Sequence, residues 1–197
     1  MPRVLRRTAA WRRVLLRFVA AWTVAFAGGG PLCAQNPPPH EYQIKAAFLF
    51  NFVQFVEWPE DAFESPQAPI RIGVLGANPF QGKLLATVQG ESVRGRPLEV
   101  KHSARVADLL DSHVLFVSSS ERGHLTFILD TLAGRPVLTV GELSDFGRRG
   151  GVVNFYLEGQ KVRFEINRFA AQRNRLRLAS QMLRLARLVG PDPEEER

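Results

Sequence analysis

Cysteine is almost missing from this chain, which has one thiol, Cys33, in 197 residues. That residue lies in an N-terminal segment that reads as an address label, so the remaining chain can form no internal disulfide and no cysteine-ligated metal centre. Histidine is scarce as well. His40, His102, His113 and His124 fall in separate segments, with neither H-x-x-x-H spacing nor a neighbouring cysteine, and no metal or other cofactor is expected. His113, at the start of an expected strand, reads as a structural residue whose ring nitrogens pair with backbone or water. No apolar run approaches the ~20 residues of a membrane-spanning helix, and no period typical of solenoids or propellers recurs.

The N-terminus supplies the compartment. Residues 1–34 hold six arginines (Arg3, Arg6, Arg7, Arg12, Arg13, Arg17) and no acid, followed by an apolar run from Phe18 to Ala27 and the breaker Gly28-Gly29-Gly30. This is the layout of a secretory signal peptide, with cleavage placed after Ala34. Leu32 stands where a small residue is preferred, which leaves an uncleaved, membrane-tethered form as the alternative. Gly30-Pro31-Leu32 before Cys33 is a poor lipidation sequence. The expected location is the periplasm, without direct membrane insertion after cleavage.

Charge follows from the same division. The full chain carries 26 basic and 19 acidic residues, and removing the six signal arginines leaves 20 against 19, so net +7 becomes +1. A nearly neutral domain lacks the electrostatic footprint of a nucleic-acid binder, and nucleic-acid partners are excluded on that ground. About 163 residues remain after cleavage, enough for one domain with an ordinary hydrophobic core.

Residues 35–40, with three consecutive prolines, read as a linker, residues 41–190 as the folded domain, and residues 191–197 as a disordered acidic tail. The domain opens on a helix from Tyr42 with Gln43, Asn51, Gln54 and Glu57 on one narrow face and Phe48, Leu49, Phe52, Phe55 and Val56 over much of the rest. Lys45 falls on the apolar side, so its stem is expected along the core with the ammonium reaching water. Pro59 is expected to stop the helix by disfavouring helical geometry at Trp58.

Ile70–Leu75, Val114–Val117 and Val137–Val140 read as strands, the latter two central, and Pro97–Lys101 as a further one. Helical stretches at Phe80–Val88, Val106–Leu110 and Glu121–Leu132 alternate with them, as in a partly parallel sheet. Val152–Leu157 and Val162–Ile166 are too close for a crossover and predict an antiparallel hairpin, with Val162, Phe164 and Ile166 on its buried face. A short helix from Arg168, a strand at Leu176–Leu178 and a last helix from Ser180 through Val189, ended by Pro191, complete the reading. The fold class is α/β: a single layered domain with a mixed, partly parallel sheet flanked by helices and a C-terminal antiparallel hairpin.

Catalytic motifs do not close. Gly76–Leu84 sits where a phosphate loop would, but five residues separate its glycines and Leu84 follows the lysine, so it reads as a strand-to-helix turn with Asn78 or Pro79 starting the helix. Ser118 lacks a G-x-S-x-G elbow and, with Glu121, has capping-box spacing. Glu142 and Asp145 have no visible partners, and Asp145 reads as a cap for the turn before Gly147. An enzyme built around Ser118 or Glu142 is the residual alternative; the expectation is a protein that is not an enzyme. Arg163, Glu165, Asn167, Arg168 and Arg175, with Arg173 and Arg177, form the one concentrated polar region, readable as a recognition patch or as ordinary ion pairs on a solvated face.

Six segments occur in a familiar order: YQIKAAFLFNFVQFVEWP from Tyr42, IRIGVLGANPF from Ile70, HVLFVSSSE from His113, VLTVGELSDF from Val137, GGVVNFYLEGQKVRFEIN from Gly150 and LASQMLRLA from Leu178. Together they resemble the YfiR family of bacterial periplasmic proteins. The resemblance implies a non-enzymatic negative regulator that binds the periplasmic sensory domain of a membrane-anchored diguanylate cyclase, represses cyclic di-GMP synthesis and so restrains biofilm behaviour. It also implies a possible homodimer. Relatives often carry a cysteine where this chain has Ser112, so disulfide-based control is not expected here. A periplasmic accessory or ligand-binding module for another membrane receptor, such as a sensor kinase or uptake system, is the alternative.

Overall fold

Helix α1 (Pro39–Phe55) begins before the expected start and takes in the last two linker residues. The structure, a computed structural model, describes residues 39–190, so the expected signal peptide and the acidic tail lie outside the described residues. Gln43, Asn51 and Gln54 are exposed while Ala46, Leu49, Phe52 and Val53 are buried, as the periodicity requires. The helix stops at Phe55, three residues short of Trp58, and tertiary partners rather than Pro59 set that end. Val56 and Glu57 form a short strand, β1, antiparallel to β9 (Arg177–Leu178). The N–H of Ala179 donates to the Phe55 carbonyl (2.9 Å), and the Arg94 guanidinium donates to the carbonyls of Val56 and Gln54 at 3.2 and 3.3 Å. The C-terminal carbonyls that a helix leaves unpaired thus find donors from distant parts of the chain.

The main sheet has eight strands in the order β10-β8-β7-β6-β5-β2-β4-β3. β2 (Ile70–Leu75), β4 (Arg96–Ser103), β5 (Val114–Val117), β6 (Leu138–Gly141) and β7 (Val153–Glu158) run parallel, β4 and β5 lying on opposite sides of β2. This is the doubly wound arrangement, whose switch point falls between β2 and β5. β8 (Lys161–Asn167) returns antiparallel to β7 through Gly159 and Gln160, with Gly159 at φ 61° in the tight turn. β3 (Ser92–Val93) pairs antiparallel with the start of β4.

Two-residue alternation divides the core between the faces. Val114 and Phe116 join Phe52, Phe80 and Ile72 under α1 and α2 (Lys83–Val88). Leu115 and Val117 join Leu125, Ile128 and Leu132 of α3 (Leu125–Leu132) on the other side. Both clusters use β5, which is why its run is continuously apolar. Phe48, Phe52, Phe155 and Phe164 meet with ring centroids 5.1–5.9 Å apart, locking α1 onto the hairpin.

Several elements differ in detail from the expectation. α2 starts at Lys83, because the Asn78 side chain accepts the Phe80 N–H (3.0 Å) and Gln81 and Gly82 are left-handed, so residues 78–82 make a turn. Val106–Leu109 and Ser119–His124 are 3-10 turns, the second leading into α3. The last helix, α5 (Ser180–Leu185), ends early; Arg187–Val189 is instead β10, parallel to β8. Continued as a helix, the segment would have little core to pack against, since Leu185 is 71 % exposed. As a strand it satisfies the free backbone edge of β8.

Candidate functional site

The C-terminal ends of the parallel strands are where a doubly wound sheet receives ligands, and here a serine side chain bridges the two loops that border the switch point. Ser120 Oγ accepts the Ala77 N–H at 3.0 Å and donates to Glu121 Oε1 at 2.9 Å, tying the loop after β2 to the loop after β5. A Cβ on Gly76 (φ 85°) would lie 2.3 Å from Ser120 Oγ and 2.4 Å from Glu121 Oε1, so only glycine fits beneath them. Ser118 caps the turn by accepting from the Ser120 N–H, but Glu121 spends its carboxylate on Ser120, so the reciprocal capping box does not form. His124 Nδ1 lies 3.5 Å from Glu121 on the side away from the serine. The order is serine, carboxylate, imidazole, and no imidazole is placed to take the serine proton as nucleophilic catalysis requires.

A buried ionic cluster sits at the end of the neighbouring strand. Lys45, 4 % exposed, has its ammonium between Glu41, one helical turn back, and Glu142, which follows β6; the Glu142 contact is 2.6 Å. Tyr42 donates to both oxygens of Glu142 at 3.1 and 3.2 Å, and its ring lies 4.6 Å below the Lys45 nitrogen. Burial raises the Tyr42 phenol well above its ordinary value, and the Glu142 charge and hydrogen bond add to that. The expectation that the Lys45 ammonium reaches water is therefore corrected, as is the reading of Glu142 as unpartnered. Glu41 at i−4 was legible as a partner. Glu142 is 97 residues away and was not.

The polar residues singled out on β8 and beyond divide. Arg163, exposed, pairs with Glu158 at 3.1 Å across the hairpin. Glu165 is buried, accepts from Asn154 Nδ2 at 3.1 Å and is ion-paired with Arg187. Asn167 is buried too: its Oδ1 accepts the Ala170 N–H (2.9 Å) and caps α4 (Arg168–Arg173), while its Nδ2 donates to the Gly147 carbonyl (2.8 Å). The second face of β8 is thus covered at its C-terminal end rather than solvated. Arg168 is exposed. Arg175, left-handed at φ 58°, pairs with Asp61 at 2.7 Å and lines a separate cleft of about 350 Å³ with Glu57, Glu60 and Arg177. Arg173 donates to the Gly150 carbonyl at 3.3 Å. Asp145 contributes its carbonyl, not its carboxylate, to its turn, accepting the Arg149 N–H at 2.9 Å.

Two further clefts have their lining groups largely engaged. The larger, about 580 Å³, lies between Trp58, Phe63, Arg94 and Arg96. Arg96 stacks 3.7 Å over the Phe63 ring and donates to the carbonyls of Ser65 and Ala68, while Arg94 holds the end of α1. The other, about 490 Å³, is lined by Asn154, Glu165 and Arg187, with the buried Asn154 Oδ1 unpartnered. Among the described residues, no three His, Asp or Glu side chains gather as a metal site would need, and no helix is long and apolar enough to cross a membrane. The exposed large apolar side chains among the described residues are Leu85, Phe127, Leu157, Phe169, Leu185 and Leu188.

No curated protein matches the chain. A family profile described as YfiR/HmsC-like matches residues 42–187, and the chain belongs to that family. Membership suggests a regulatory, non-catalytic protein of diguanylate cyclase signalling that acts on a partner signalling protein, in a family that is periplasmic.

Proposed function

From that membership we propose that the protein is a non-enzymatic periplasmic regulator that binds the periplasmic sensory domain of a membrane-anchored diguanylate cyclase and represses cyclic di-GMP synthesis. One observation supports this beside family membership: Ser120 and Glu121 tie together the two loops at the switch point where a substrate would enter, while six large apolar side chains of the described residues stand on the surface. A domain of this kind acts by contact. It shifts the cyclase only as far as it binds the inactive conformation more tightly than the active one; about 1.4 kcal/mol of difference is a tenfold shift. The exposed Arg163, Arg168 and Arg175 supply the charged rim of the contact, and Glu165 and Asn167 hold the strand end beneath it.

Residues 1–34 direct export and are removed after Ala34. Protein recovered from the periplasm accordingly begins at Gln35 by N-terminal sequencing; a start at Met1 in the membrane fraction contradicts this.

The contact is tested by replacing Leu85, Phe127, Leu157, Phe169, Leu185 and Leu188 singly with Glu and measuring capture of the detergent-solubilised cyclase by the mature protein. At least one replacement abolishes capture without lowering the melting temperature. Capture of a different receptor by the unaltered protein, or no capture of the cyclase, overturns the proposal.

A further inference from the structure

Between β1 and β2 the chain crosses the sheet end in a loosely held connection. Its 3-10 turn (Glu60–Ala62) has no buried residue, and every residue from Glu60 to Gln67 is exposed or only partly buried. Among the described residues, the backbone hydrogen bonds of Glu60 to Glu64 stay within the turn, except that the Ala62 carbonyl accepts from His113 Nε2 at 3.1 Å. Few buried contacts and few bonds to the rest of the fold mark a segment that opens before the domain does.

His113 is the residue that holds this connection down. It stands just before β5, is buried, and touches the connection at Ala62, at Phe63 (rings stacked at 4.5 Å) and at Trp58 (edge-on at 6.0 Å). Trp58 Nε1–H also donates to the His113 carbonyl at 3.2 Å. On the sheet side, His113 Nδ1 accepts the Arg71 N–H at 3.1 Å. A backbone amide only donates, so Nδ1 carries a lone pair and the ring proton sits on Nε2. A second proton, on Nδ1, meets the Arg71 N–H donor against donor, and the ring must leave one of its two sides. Arg71 lies in β2, which is paired with β4 and β5 on either flank. The exposed turn has no such support and is the side that gives way. The charges around the imidazole come from several elements. Arg71 on β2 and Arg96 on β4, whose guanidinium lies 3.7 Å over Phe63, oppose its protonation, and Asp111 before β5 favours it. On the connection itself Glu64 pairs with Arg71 and Asp61 with Arg175, while Glu60 is exposed.

We propose that His113 is an acid-released latch, whose protonation frees the connection from Trp58 to Ser65 while the rest of the domain stays folded. The connection supplies Trp58, Phe63 and Ser65 to the 580 Å³ cleft, so the surface that a partner meets there differs between neutral and acid conditions. The buried ring titrates at about 4 and a released one near 6.5, so as pH falls between those values protonation favours release by a factor of up to about 300. The latch involves no cyclase and stands apart from the proposed function.

Trp58 reports on the connection directly, because Trp11 and Trp22 both precede Ala34 and the mature protein has no other tryptophan. The test follows tryptophan emission, acrylamide quenching and far-UV circular dichroism of the mature protein from pH 7 to pH 4. Emission shifts to the red and the quenching constant rises at least about twofold, while the circular dichroism is unchanged. His113→Gln, whose amide accepts from Arg71 and donates to Ala62 without titrating, shows no such change. Hydrogen exchange of the unaltered protein gives a second reading: corrected for the intrinsic effect of pH, the Arg71 amide loses protection in acid and the β5 amides keep theirs. Constant Trp58 emission down to pH 4, the same change in His113→Gln, circular dichroism lost in step with the fluorescence, or an Arg71 amide equally protected at both pH values overturns the proposal.

Discussion

A protonated His113 has nowhere to place its second proton. Its Nδ1 accepts the Arg71 N–H at 3.1 Å, its Nε2–H donates to the Ala62 carbonyl at 3.1 Å, and its ring stacks on Phe63 at 4.5 Å. Burial pushes the imidazole down to about 4; the Ala62 carbonyl opposes this, and the charges of Arg71 and Arg96 add to it. The unfolded imidazole titrates near 6.5, so between 6.5 and about 4 the unfolded chain binds more protons and stability falls as pH drops. The loss from this residue approaches about 3 kcal/mol by pH 4. Urea unfolding at pH 7 and pH 4 checks it: His113→Gln has a visibly flatter dependence, and equal slopes would contradict the assignment. Its neighbour Ser112 is buried with its hydroxyl unpaired. Ser112→Ala is therefore neutral or raises stability by about 1 kcal/mol, seen as an unchanged or higher melting temperature. Lys45 behaves oppositely. Lys45→Met strands the Glu41 and Glu142 carboxylates together in the core and costs about 3 kcal/mol in urea unfolding, whereas a cost near zero would mean that the cluster is solvated.

At the scale of elements, Asn167 joins β8 to α4 and to the Gly147 loop, so Asn167→Ala removes a cap and a buried bond and lowers unfolding free energy by about 1–2 kcal/mol. Which elements were legible depended on where their partners lie. The β5 run VLFV reads as a central strand because burial on both faces leaves its mark on every residue. The hairpin reads from alternation alone. The stretch after Ser180 carries apolar residues at helical spacing, yet only Met182 is buried in α5, and the free edge of β8 claims Arg187–Val189. The end of α1 likewise depends on Arg94 and Ala179, which local sequence cannot supply. The ionic cluster was half visible, Glu41 and Lys45 being one turn apart while Glu142 arrives from the end of central β6, 97 residues along the chain from Lys45. Of the polar residues read as one patch, Asn167 and Glu165 proved to be buried, because a strand with charged alternate residues looks solvated until something packs over it.

For the whole molecule, the expected division at Ala34 separates a strongly basic export segment from a nearly neutral domain. The described part of that domain is a doubly wound sheet whose switch-point loops are bridged by Ser120, with large apolar side chains exposed elsewhere on its surface. On the proposed function, such a molecule signals by being held or released by a partner. The most direct test is cellular cyclic di-GMP in the native host with the gene deleted, and again with the protein restored in exported form. Cyclic di-GMP is expected to rise on deletion and return to its starting level on restoration; an unchanged level while the protein is normally expressed would contradict the account.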